Sequence, residues 1–190
     1  MAGSALVQKH IAALAAMKGK SVEAGWFESD RYPASGDKSV GEQVARIARI
    51  MEYGAAINHP GGTKYIEDAA ENGRYLGTRF VHKDFKGEHK VTKAHVIVIP
   101  ARPFMRLAWT KFKQQRLKIQ AKIAKDLINK KIEPNQALAQ IGMALEDCIA
   151  DSIKNGGWQS NSPSTISKKG FDKPLIDTAH MWKSVNSKVT

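Results

Sequence analysis

The sequence predicts an α+β fold: a small antiparallel sheet packed against a long basic helix and a second helix antiparallel to it, with loop and hairpin extensions. Three observations predict it. Two long runs of helical apolar spacing meet at Glu133-Pro134-Asn135. Two β-type runs flank a charged turn between Lys83 and Lys90. The length, 190 residues with 42% hydrophobic, suits one core and is short for two. Residues 1–190 are therefore read as a single domain, with 57–92 a surface excursion and hairpin extension and 158–190 a C-terminal arm carrying a short helix.

In chain order, Ser4 is positioned to cap a first helix whose apolar residues Leu6, Val7, Ile11, Leu14 and Met17 recur at helical spacing, with Gly19 past its end. Ser21 to Glu28 alternates and reads as a strand. Asp30 to Ser39, with Pro33 and Gly36, reads as loop. Helical spacing returns from Gly41 to Tyr53, where Val44, Ile47, Ala48 and Met51 share a face, and Gly54 ends it. Ile57 to Gly73 has no clear period and reads as a long surface excursion. Tyr75–His82 and Thr92–Ile99 read as the two strands of a hairpin, the second apolar on both faces from Val96 to Ile99 and so central and covered on both sides.

The long helix is expected to start at Arg102 or Pro103, because proline suits a first turn. The next helix follows Glu133-Pro134-Asn135, presents Leu138, Ile141, Leu145, Ile149 and Ile153, and runs to Asn155-Gly156-Gly157. So short a break makes the pair an antiparallel hairpin. In the arm, Ser162-Pro163-Ser164-Thr165-Ile166 and Pro174-Leu175-Ile176-Asp177-Thr178 each offer a cap before a short helix.

Charge is unevenly distributed. The chain carries a formal +12, and Ala101 to Ile132 alone holds ten bases against the single acid Asp126, or +9. A basic segment on an otherwise balanced chain is a surface suited to an anionic partner: nucleic acid, headgroups or an acidic protein. Stepping 100° per residue puts Phe112, Leu117, Ile119, Ile123, Ala124, Leu127 and Ile128 on one broad arc, and Lys111, Lys118, Lys122 and Lys125 on the opposite side. A solvated helix face is the ordinary reading of such a stripe. Against it stands the near absence of acids at i±4, where an ordinary face mixes signs.

Other chemistry is poorly supported. The six histidines include no HExxH and no pair at ligand spacing on a helix, so no metal site is expected. The single Cys148 lies on an apolar arc and reads as a buried small hydrophobe. Gly61-Gly62-Thr63-Lys64 lacks the upstream glycine of a phosphate loop and reads as a turn. His59 with Asp68 or Glu71 and a serine or Cys148 has no third group to orient a nucleophile. Tyr53, Tyr65 and Tyr75 do not interleave with the lysines as base-stacking platforms would. Neither catalytic residues nor cofactors are expected. The longest apolar run, His95 to Ile99, is far short of the ~20 residues of a membrane span, and the N-terminus lacks the features of a signal peptide.

Three pieces together resemble a known family. Ala45-Arg46-Ile47-Ala48 running into Glu52-Tyr53-Gly54, then Ile99-Pro100-Ala101-Arg102-Pro103-Phe104-Met105-Arg106, then Pro174-Leu175-Ile176-Asp177-Thr178-Ala179 with Trp182-Lys183-Ser184-Val185, resemble the tailed-phage virion morphogenesis family of neck and tail-completion proteins. The order holds along most of the chain. Ala179 stands where the family has glycine, and the segment between Gly54 and Ile99 is longer than the family's.

The resemblance implies a structural subunit, not an enzyme, that forms a ring of six copies in the neck or at the head-proximal tail end and joins the tail terminator or tail tube to the head connector, with DNA passing through the channel. It implies location in the virion, and in host cytoplasm during assembly, with no membrane partner. Gly54, Arg102, Pro103, Phe104, Asp177 and Thr178 are the structural motif residues it marks. Arg102 is expected to anchor the turn into the long helix through backbone carbonyls or a carboxylate, and Phe104 to pack beneath the sheet. Lys111, Lys118, Lys122 and Lys125 are the expected contacts to DNA or an acidic partner. The alternative is a stand-alone nucleic-acid-binding protein, and an enzyme of unfamiliar type is a third reading.

Overall fold

The structure, a computed structural model, describes residues 2–34, 40–71 and 74–190. Its elements, in order, are α1 (Ala2–Met17), β1 (Val22–Gly25), α2 (Val44–Tyr53), β2 (Ala55–His59), β3 (Lys64–Glu71), β4 (Arg74–Phe80), β5 (Lys90–Val91), β6 (His95–Ile99), α3 (Phe104–Ile128), α4 (Pro134–Asn155), α5 (Pro163–Lys169), α6 (His180–Lys183) and β7 (Asn186–Val189). Helices with small antiparallel sheets make this an α+β fold. The chain forms two compact units, Gly54–Ile99 and the remainder.

The larger unit is built on the α3–α4 hairpin. Glu133 caps α4 in a capping box: its side chain accepts the Gln136 amide while the Gln136 side chain accepts the Glu133 amide, with Pro134 in the first turn. The two helices run antiparallel, since Phe104 lies beside Ser152, Lys111 beside Asp151, and Gln115 beside Cys148. Val44 and Ala48 of α2, Phe104, Ala108 and Phe112 of α3, and Cys148, Ile149 and Ile153 of α4 form the core with Met181 of α6. The arm from Trp158 returns to this core. Strand β7 pairs with β1 from Val22↔Val189 to Gly25↔Asn186, and Trp26 Nε1 donates to the Met181 carbonyl at 2.9 Å. Gly142 lets α4 sit close against this sheet: a Cβ there would collide with Ser187, 2.8 Å from its Cβ.

The smaller unit holds two sheets. Strand β2 pairs with β6 as a two-stranded ribbon, with Ile57 opposite Ile97 and His59 opposite His95. Strand β3 is central between β4 and β5. Gly61 and Gly62, both at φ +84°, turn the chain from β2 to β3. The turn is clamped to the segment before β6, with the Gly62 amide on the Thr92 carbonyl and Thr63 and Thr92 bonded to each other.

Several expectations are corrected. The segments 75–82 and 92–99 are not partners: the first pairs with β3, and the second with β2. The excursion at 57–73 contains the end of β2 and all of β3, the latter hidden from a period-two search because register shifts at Ile66/Ala69 and Ala69/Ala70 break the alternation. Strand β6 is not covered on both sides, since Val96, Ile97 and Val98 are 55, 40 and 72% exposed. Helix α1 begins at Ala2, ahead of Ser4. The last helix is capped by Ala179 with no side-chain bond, not by Asp177 or Thr178. Residues 35–39 of the expected loop, residues 72–73, and the side chains of Asp68, Glu71 and Tyr75 lie outside the described residues.

Candidate functional site

The Glu52-Tyr53-Gly54 turn and the Arg102-Pro103-Phe104 box form one joint. Helix α3 starts after Pro103, a residue with no side chain able to accept the first free amides of a helix. Glu52, at the end of α2 and 4% exposed, supplies the missing acceptor from a distance in sequence. Its carboxylate accepts the Met105 amide at 2.8 Å and the Arg106 amide at 3.4 Å. Negative charge at this end is also favoured by the helix dipole.

The Arg106 side chain closes the same joint. Its Nε donates to Glu52 Oε1 at 2.9 Å, its Nη2 donates to the Glu52 carbonyl, and its guanidinium lies 5.6 Å from the Tyr53 ring centre. Gly54 takes φ +74° where α2 ends, a conformation natural to glycine.

Arg102 anchors the turn from the other side. Its amide donates to the Met51 carbonyl at 2.7 Å and its Nη2 to the Gln159 carbonyl at 3.3 Å. The residue is 6% exposed, and its buried Nε has no partner among the described residues. Burial lowers its pKa, opposed by the charge of Asp172. Asp172 in turn accepts the Asn161 amide and side chain, which hold its carboxyl below the usual range.

Phe104 is fully buried, with Trp26, just past β1, edge-on at 5.8 Å. Asp177 and Thr178 are exposed. The late box places His180 so that its Nε2 lies 2.8 Å from the Arg31 carbonyl and its ring 5.0 Å from that of Tyr32. Burial raises the Tyr32 pKa, with the Asp177 charge adding to it.

The four lysines do not share one environment. Lys111 is half-buried against α4, ion-paired with Asp151, so it serves the helix hairpin. Lys118, Lys122 and Lys125 are exposed, as are Lys113 and Arg116, and none of these five has an ion-pair partner among the described residues. The supposed apolar arc also opens out. Ile123 is buried, yet Leu117 is 72% and Ile128 49% exposed, so the buried side chains of α3 are concentrated in its first half, at Phe104, Ala108 and Phe112.

A groove of about 460 Å³ follows β1, lined by Glu23 to Phe27, by Ala45, Ala48 and Arg49 of α2, and by Met105. No group of three or more His, Cys, Asp or Glu side chains suited to a metal occurs among the described residues. No helix there is long and apolar enough to cross a membrane.

Sequence reasoning missed the roles of Glu52 and Asp151. Glu52 was detectable: it extends the buried row Val44, Ala48 by one more step of four, and a carboxylate on a buried row needs partners. Comparisons of the chain with protein-family models, curated proteins and solved structures find no match.

Proposed function

We propose that this chain is a structural subunit of a long-tailed phage virion, a neck or tail-completion protein that forms a ring joining tail to head connector. The observation that supports it best is the joint at Glu52. Two of the three pieces carrying the family resemblance lie about fifty residues apart, yet one carboxylate spans both and fixes where α3 begins. Sequence pieces that are mechanically interdependent are what a shared fold would retain together. The ring would present the distal, loosely packed half of α3, with Lys118, Lys122 and Lys125, to DNA in the channel or to an acidic neighbouring ring.

The test is head–tail joining with particles made without this chain. Separate, unjoined heads and tails are expected, and restored joining when purified protein is added. Normal joining in its absence overturns the reading.

A second reading, a stand-alone nucleic-acid-binding protein, is favoured by those same three lysines, which lack carboxylate partners among the described residues. It requires duplex binding by the isolated chain that weakens steeply with salt, as released counterions dictate. Replacing Lys118, Lys122 and Lys125 by glutamate would abolish it, whereas Lys111→Glu would act on stability instead. Absence of duplex binding at low salt rejects this second reading.

A further inference from the structure

Tyr53 and Trp109 are the most exposed aromatic side chains among the described residues of the larger unit, at 68 and 49%. Each stands beside a cation of α3. The Arg106 guanidinium lies 5.6 Å from the centre of the Tyr53 ring, and the Lys113 ammonium 5.6 Å from that of Trp109. Arg116 follows Lys113 by three residues, a neighbour on the same face. Sequence order separates Tyr53 from α3 by about fifty residues, and the joint at Glu52 removes that separation.

This face is not the lysine stripe. With Arg106 at zero and 100° per residue, Arg106, Trp109, Lys113 and Arg116 fall between about 0° and −80°. Lys111, Lys118, Lys122 and Lys125 fall between about 100° and 160°, on the other side of the helix. The +9 of this segment is thus divided between two surfaces, and only one of them carries aromatic rings.

The face is suited to a polyanion that also offers flat rings. Lys113 and Arg116 are exposed without an ion-pair partner among the described residues, and the Arg106 side chain keeps 64% exposure beside Glu52. The one acid within α3, Asp126, lies at about 200°, away from this face. Trp109 is stacked on buried Phe112 at 5.7 Å, with 22° between the planes, so its ring is held in place before a ligand arrives. An acidic protein would match the charge alone. A strand of nucleotides matches both, provided its bases are free to leave one another, which a duplex does not allow.

We infer that Tyr53, Arg106, Trp109, Lys113 and Arg116 form a site for single-stranded DNA, with bases stacked on Trp109 and Tyr53 and phosphates on the cations between and beyond them. The hydroxyl of α3 on this side, Thr110, donates its only proton to the Arg106 carbonyl and is not free to give it to a ribose. The assignment goes beyond both readings above, since it uses none of Lys118, Lys122 and Lys125 and names a different form of nucleic acid.

The test is fluorescence anisotropy of a labelled deoxythymidine strand of about twelve residues with the full-length chain at about 50 mM salt. Binding is expected, and an abasic strand of equal length is expected to bind at least about tenfold more weakly, because it keeps the phosphates and loses the rings. That comparison needs no variant. Trp109→Ala is expected to weaken the thymidine strand at least about fivefold while Trp109→Phe retains most of the affinity. Lys113→Glu/Arg116→Glu, which alters two exposed side chains, is expected to weaken it at least about tenfold, with circular dichroism checking that each variant folds.

Failure to bind the strand, equal binding of the abasic strand, or unchanged binding by Trp109→Ala would each overturn the inference. A polyglutamate chain that loses as much affinity on Trp109→Ala would assign the face to an acidic protein instead, and a uridine RNA bound more than about tenfold tighter would assign it to RNA. Any duplex binding through the lysine stripe is expected to survive Trp109→Ala, and its loss in parallel would also overturn the inference.

Discussion

Glu52 shows how one buried carboxylate can define an element it does not belong to. Replacing it with alanine leaves the Met105 and Arg106 amides without their acceptor and Arg106 without its partner. The expected loss of stability is about 2–4 kcal/mol, read as a lower urea midpoint. Glu52→Gln keeps one acceptor oxygen and is expected to lose about half as much. Ala179 poses the opposite case. It takes φ +62° at the start of α6, where a Cβ is disfavoured, so Ala179→Gly is expected to raise stability by about 1 kcal/mol in thermal melts. The first effect was only partly legible in sequence, because spacing shows that Glu52 continues a buried row but not what meets it. The second was visible as a departure from a glycine position, and the backbone angle supplies its physical meaning.

At the scale of elements, the α3–α4 hairpin followed from the sequence because Glu133-Pro134-Asn135 is a strong local signal and both runs keep helical spacing. The strand pairing did not follow. Which β run pairs with which is decided by contacts distant in sequence, and the bulged β3 hides its own alternation. Gly142 belongs to this scale. Alanine there would gain about 1 kcal/mol of helix propensity but must push α4 off Ser187 and Val22. Overpacking of this kind costs about 1–3 kcal/mol, so Gly142→Ala is expected to lower the melting temperature.

The Lys111–Asp151 pair links the same two helices. The Lys111 hydrogen bond is the largest cause holding the Asp151 carboxyl below its usual range, with Asn155 next. A depressed folded pKa means the pair's contribution is fully present above the unfolded carboxylate value near ~4 and fades as pH falls through the lower folded value. Wild-type and Asp151→Asn chains should therefore differ in urea midpoint at neutral pH and converge near pH ~2.

Across the whole molecule, the division into two units has a sequence address. The chain leaves the larger unit after Tyr53 and returns at Pro100, and Ala55 faces Ile99 directly in the ribbon. Among the described residues, every member of the buried core lies in the larger unit. A chain in which 56–98 is replaced by a two-glycine bridge is thus expected to keep one cooperative unfolding transition, and loss of that transition would show that the smaller unit is needed to fold the larger. Apolar spacing pointed to the fold class and charge counting to the basic segment, but neither to this division: the smaller unit, with seven basic and five acidic residues, does not stand out in charge, and its only boundary signals are Gly54 and Pro100.

The lone thiol of Cys148 sits where α4 meets α3, buried, hydrogen-bonded by Gln115, and with its pKa raised by that burial. A thiol reagent can reach it only while the hairpin is open. The rate at which the native chain reacts, compared with the unfolded one, is therefore a clock for helix separation, already installed at a single position and needing no substitution to read.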